Sequence, residues 1–145
     1  MKKLKGLNCI LLVDDDEVSN YLNKLLIEKS GIDVDVEVAL NGLTALQYLT
    51  STGEFNRNAA FPKPALILLD INMPRMNGWE FLDEYEKLDE DKKGGIIIAM
   101  LTSSNNADDV NTALNEYELP AYIYKPLTSE KLQELFDTYF PEEEI

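Results

Sequence analysis

The stretch ILLVDDDEVSN, residues 10–20, opens on an apolar run, Ile10-Leu11-Leu12-Val13, that stops in four consecutive acids, Asp14, Asp15, Asp16 and Glu17. Adjacent carboxylates repel one another, and a strand needs no such cluster to end, so the stretch asks for a cation beside it. The same habit recurs downstream. Ala65 to Leu69 is apolar on both faces and ends in Asp70; Ile96 to Leu101 ends in Thr102-Ser103-Ser104; Tyr122-Ile123-Tyr124 ends in Lys125-Pro126.

Longer amphipathic segments separate these runs. Val18, Leu22, Leu25 and Leu26 fall at i, i+4, i+7 and i+8, which predicts a helix stripe facing the core, with Gly31 as its stop. Val34, Val36 and Val38 alternate with acids in a second strand. Asn41-Gly42 then opens a helix through Thr50 with Ala45, Leu46 and Leu49 inward. Further helices are expected over Gly78–Leu88, over Ala107–Tyr117 with Val110, Ala113 and Leu114 inside, and from Ser129 with Leu132, Leu135, Phe136 and Tyr139 inside. Residues 89–95 read as a polar loop. The alternation predicts an α/β fold: one domain over 1–145 with its core at about 8–140, and a five-stranded parallel sheet doubly wound by helices in three layers. Residues 51–64 form a long loop carrying Phe55 and Phe61, and 141–145 an acidic tail expected to be solvated. In such a sheet all strands end on one edge, so Asp14, Asp15, Asp70, Thr102 and Lys125 should meet there.

Bulk properties limit the function. With 145 residues, 45% hydrophobic and 28% charged, the chain is of ordinary globular make-up. No apolar run approaches the ~20 residues of a membrane helix, and the start, MKKLKGLNCILL, lacks a cleavage site after its short apolar stretch. Twenty-seven acids against 13 bases give a net charge of -14, and beyond Lys2, Lys3 and Lys5 no basic cluster exists, which argues against nucleic acid and anionic membranes as partners. The lone Cys9 sits in an apolar run, as expected of a buried thiol in a reducing cytoplasm, and the absence of histidine removes His-based metal sites and general bases. Three crowded carboxylates outnumber Lys125, and a hard divalent cation such as Mg²⁺ fits the remainder. A carboxylate beside a metal, an ammonium and a hydroxyl describes a phosphoryl-transfer site in which the aspartate is the nucleophile.

The ordered set VDDDE, LLDINMPRMNG, MLTSS and YIYKP resembles the receiver domain of bacterial two-component response regulators, from about Asn8 to Tyr139. The resemblance implies a flavodoxin-like (βα)5 fold with Asp70 as phosphoacceptor. It implies Asp14, Asp15, Asp70 and the backbone carbonyl of Asn72 as the Mg²⁺ site, with Mn²⁺ as a substitute. Thr102 and Lys125 match the residues that bind the phosphoryl group, Tyr122 matches the coupled aromatic, and Pro126 matches a cis-proline. The partner implied is a sensor histidine kinase or phosphotransfer protein. With no output domain after Ile145, signalling would run through protein contacts or a phosphorelay, as a monomer or a phosphorylation-dependent dimer. Receivers catalyse their own phosphorylation and dephosphorylation, so the chain is expected to be a switch rather than a metabolic enzyme.

Blander readings compete residue by residue. Asp16 and Glu17 suit a helix N-terminus better than a metal site. Thr102 alone is a common strand end, and Tyr122 alone a half-buried strand aromatic. Met73, Met76 and Trp79 read as packing. Two other classes stay open: a non-phosphorylated pseudo-receiver acting as an interaction module, and a small Mg²⁺-dependent phosphatase using an aspartyl phosphate. The latter usually has a second acid where this chain has Asn72.

Overall fold

The apolar runs become five strands because each is buried on both faces or lies beside one that is. The computed structural model describes residues 2–52 and 62–142, so Phe55 and Phe61 lie outside the described residues. Its strands are β1 (Cys9–Val13), β2 (Asp35–Ala39), β3 (Leu66–Leu69), β4 (Ile97–Thr102) and β5 (Ala121–Tyr124). They pair in parallel in the order β2-β1-β3-β4-β5, with Ile10 opposite Val36 on one side and Leu66 on the other. The chain steps from β1 out to the edge strand β2 and returns past β1 to β3. This reversal opens a crevice between the carboxyl ends of β1 and β3, where Asp14 and Asp70 stand.

Alternation along the strands divides the interior into two cores. Ile10, Leu12, Leu66, Leu68 and Leu101 face α1 (Glu17–Lys29) and α6 (Ser129–Tyr139), packing against Ile27, Leu132, Leu135 and Phe136. Leu11, Val13, Ile67, Leu69 and Met100 face the other way, against Ala45, Tyr48 and Leu49 of α2 (Gly42–Thr50) and Phe81 and Leu82 of α3 (Gly78–Glu86). Each Val, Leu, Ile, Met or Phe among them contributes roughly 1.5–3 kcal/mol of burial. Side-chain caps start the helices: Asp16 on Val18 N–H, Asn41 on Thr44 N–H, and Asn77 in a reciprocal capping box with Glu80.

Four expectations are corrected. The first half of the expected stripe on α1 points outward, with Val18 66% and Leu22 55% exposed, while Leu25 is half-buried and Leu26 packs against the first core. The buried line of that helix runs through Asn20 and Ile27, on the opposite side, so a polar residue hid the true phase. Leu114 is also exposed, because α5 (Ala107–Asn111) widens into a π-helical turn, Thr112–Glu116, closed by Tyr117 N–H on Thr112 O at 3.0 Å. That extra residue per turn shifts the helical phase. The 89–95 loop contains a helical turn, α4 (Glu90–Lys93). The core begins ahead of residue 8, since Leu4 and Leu7 are buried in it; Glu142 pairs with Lys2 at 2.6 Å and stays exposed, as expected of the tail.

Candidate functional site

Asp14 is the most constrained residue at the carboxyl edge. Its N–H continues the sheet ladder to Ala39 O at 3.0 Å, and its carbonyl accepts from Asn20 Nδ2 at 2.8 Å. Its Oδ1 accepts from Asp16 N–H at 2.9 Å, and its Oδ2 pairs with Lys125 Nζ at 2.6 Å. Asp15 beside it is exposed.

Asp70 follows the fully buried β3 and is itself only 8% exposed. Its N–H bonds Val13 O at 2.9 Å, its Oδ1 accepts from Ile71 N–H at 2.8 Å, and its Oδ2 lies 3.5 Å from Lys125 Nζ. Gly78 permits this seat. The first turn of α3 packs so tightly on the strand end that a Cβ on Gly78 would stand 2.5 Å from Asp70 O. Burial pushes the Asp70 carboxyl up from its ordinary pKa. Lys125 opposes that and Asp14 adds to it, while Ile71 N–H and Thr102 favour the carboxylate.

Lys125 arrives from the end of β5, with its N–H on Thr102 O at 2.8 Å and a cis bond to Pro126. Burial alone would lower its ammonium pKa, but bonding to Asp14 and the charges of Asp70 and Asp14 reverse this and hold it raised. Thr102 is fully buried, and its Oγ1 accepts from Ser104 N–H at 3.2 Å. Tyr122 donates its hydroxyl to Ser104 O at 2.8 Å, so Thr102 and Tyr122 are tied through the same turn.

One oxygen each of Asp14, Asp15 and Asp70 can be chosen so that all lie within 4.8 Å of one another. Three carboxylates against one ammonium, with oxygen donors only, suit a hard divalent cation. Asn72 is exposed in the loop after Asp70. Asp16 stays out of this group. It caps α1, and hydrogen bonds from Ser19, side chain and backbone, hold its carboxyl below the usual range.

Sequence reasoning did not single out Asn20, Ser104 or Gly78 as supports of the site. Gly78 carries a signal, since Asn77-Gly78 opens a helix just after Asp70, whereas a polar residue within α1 carries none.

The model of the response regulator receiver domain matches residues 10–137. The chain belongs to that family. As a receiver it is a signalling domain of the kind used in two-component systems. It is 35% identical to response regulator Rcp1 of Synechocystis over 127 residues, which cover 88% of this chain and 80% of Rcp1. A two-component response regulator from Cytophaga hutchinsonii superposes with a TM-score of 0.78 at 29% identity, covering 93% of this receiver and 98% of that chain. The phosphorylated cyanobacterial phytochrome response regulator RcpA gives 0.75 at 29% identity, covering 92% and 94%. The Mn²⁺-bound form of Rcp1 gives 0.70 at 33% identity, covering 91% and 88%. Among the described residues of this receiver, no helix is long and apolar enough to cross a membrane.

Proposed function

We propose that this receiver works as a stand-alone cytoplasmic response regulator. In this reading Asp70 accepts a phosphoryl group from a sensor histidine kinase or phosphotransfer protein, and the signal leaves through protein contacts or a phosphorelay. The observation that carries the reading is the seat of Asp70 Oδ2, 3.5 Å from Lys125 Nζ and grouped with Asp14 and Asp15 at the open edge of the sheet. Asp14, Asp15, Asp70 and the Asn72 backbone carbonyl would hold Mg²⁺, with Mn²⁺ as a substitute. When bound, the cation supplies neutralisation of the phosphoryl oxygens. The Mn²⁺-bound structure of Rcp1 and the phosphorylated structure of RcpA support both halves of the reading by similarity.

The chemistry is a nucleophilic displacement. An Asp70 carboxylate oxygen bonds to phosphorus as the bond to the donor's imidazole nitrogen breaks, and the electron pair leaves with that nitrogen. Ile71 N–H on Oδ1 fixes the rotation of the carboxylate and leaves Oδ2 on the Lys125 side. Lys125 exchanges part of its hold on Asp14 for a phosphoryl oxygen, and the Thr102 hydroxyl donates to another. Because Ser104 bonds both Thr102 and Tyr122, closure of Thr102 pulls on the ring of Tyr122. The face formed by α5, β5 and α6 then changes; it carries an open groove of about 630 Å³ lined by Val110, Leu114, Tyr122, Tyr124 and Tyr139. The receiver acts there as a monomer or as a phosphorylation-dependent dimer.

The test is intact mass after incubation with Mg²⁺ and a small phosphodonor such as acetyl phosphate. Wild type gains one phosphate and Asp70→Asn gains none. No labelling of either protein, with Mg²⁺ binding demonstrated, overturns the acceptor assignment.

A further inference from the structure

We infer that Asn20 is a positioning residue for the acidic pair: from inside α1 its carboxamide fixes the backbone on which Asp14 and Asp15 reach the cation. The inference rests on the metal-site reading proposed above.

Asn20 is only 4% exposed and lies on the buried line of α1 with Ile27, where an apolar side chain would ordinarily pack. Its Nδ2 donates to Asp14 O at 2.8 Å, while its Oδ1 is buried without a hydrogen-bond partner among the described residues. A leucine here would remove the orphaned oxygen but leave the Asp14 carbonyl without this donor, so the asparagine keeps an unpartnered Oδ1 in the core for the sake of that one bond. The contact it makes is what distinguishes it.

The Asp14–Asp15 peptide is the junction between sheet and helix. On one side Asp14 N–H is in the ladder to Ala39, and on the other Asp16 already caps α1. The carbonyl between them is held by Asn20. Fixing that carbonyl sets the plane of the Asp14–Asp15 peptide, and so the direction in which each side chain leaves. Asp14 has further restraints in Asp16 N–H and Lys125. The exposed Asp15 carboxylate has no side-chain hydrogen bond among the described residues, so its aim toward Asp14 and Asp70 depends on its backbone. Partners of this kind, one bond removed from the ligands, are worth about 10–100-fold in metal affinity.

The experiment is calorimetric titration of Mg²⁺ into wild type and Asn20→Leu, with Mn²⁺ electron paramagnetic resonance to count bound ion and Tm recorded in chelator. Asn20→Leu should bind Mg²⁺ about tenfold more weakly or worse while Tm in chelator changes little, because the orphaned oxygen it removes offsets the donor that Asp14 O loses. Should the leucine fail to fold, Asn20→Ala, which cannot overfill the position, is read in the same way. Unchanged affinity in the variant overturns the inference and leaves the metal site standing. A fall in affinity that tracks a fall in Tm assigns Asn20 a merely structural role and also overturns it. Absence of Mg²⁺ binding in wild type overturns the site reading and the inference together.

Discussion

Lys125 holds Asp14 at 2.6 Å, closer than the 3.5 Å that separates it from Asp70. On the proposed reading its ammonium is therefore engaged mainly with the carboxylate that would not react, and it is free to shift toward a new dianion on Asp70.

Lys125→Ala tests this division. Without the ammonium, two nearly buried carboxylates face each other, which should cost about 2–3 kcal/mol of stability in chelator by urea unfolding. Mg²⁺ should recover more stability in the variant than in wild type, and its affinity should be retained or increased, since no ammonium competes for Asp14 and Asp70. Phosphorylation-linked change should be lost. An activated state that looks like wild type would show that Lys125 does not carry the switch.

Much of this site is legible in the sequence because parallel topology turns strand ends into neighbours. Asp14, Asp70, Thr102 and Lys125 each follow an apolar run, and the sheet order brings them to one edge. What escapes is anything set by the phase of a helix. Val18 and Leu22 keep helical spacing yet face solvent, because the sheet takes the side holding Asn20 and Ile27. Leu114 escapes for a different reason: nothing in its spacing announces the π turn that rotates it outward.

Gly78→Ala should be costly although it adds a single methyl to a helix. Its Cβ would meet Asp70 O at 2.5 Å and Ile71 Cα at 3.0 Å, both backbone atoms that cannot move aside cheaply. A loss of about 1–3 kcal/mol is expected by chemical denaturation, although alanine is the better helix former. Because the displaced atoms belong to Asp70 and Ile71, Mg²⁺ affinity should fall as well. Full stability in the variant would mean that α3 does not brace the acceptor.

Trp79 and Tyr117 stack with ring centroids 5.6 Å apart and 16° between planes, and the Tyr117 hydroxyl donates to Asp83 Oδ1 at 2.6 Å. The bond to Asp83 comes first among the causes that push that hydroxyl up to about 12. The stack joins α3 to the end of the π turn. Trp79 is the only tryptophan, so its emission reads this contact directly. Phosphorylation should change Trp79 fluorescence in wild type and not in Asp70→Asn. Tyr117→Phe should keep the stack and lose no more than about 1 kcal/mol, because the bond it removes is exposed. Constant emission on phosphorylation would show that the π turn stays fixed against α3.

Cys9 supplies a pH test well away from the acidic edge. It is buried in β1 with its Sγ 3.8 Å from the Tyr48 hydroxyl, and burial pushes its thiol from 9.0 up to about 11. The unfolded chain therefore gives up this proton first. The contribution to stability is complete below pH 9 and is lost as pH rises toward about 11, amounting to on the order of 2 kcal/mol. Urea midpoints of wild type should fall across that window more steeply than those of Cys9→Ala, which carries the same tyrosines without the thiol. Iodoacetamide at pH 8.5 should label the native protein only at the rate at which β1 opens, and label it at once in denaturant. Prompt labelling of the folded protein would mean that the centre of the sheet is open to solvent and that Cys9 is not the buried thiol described here.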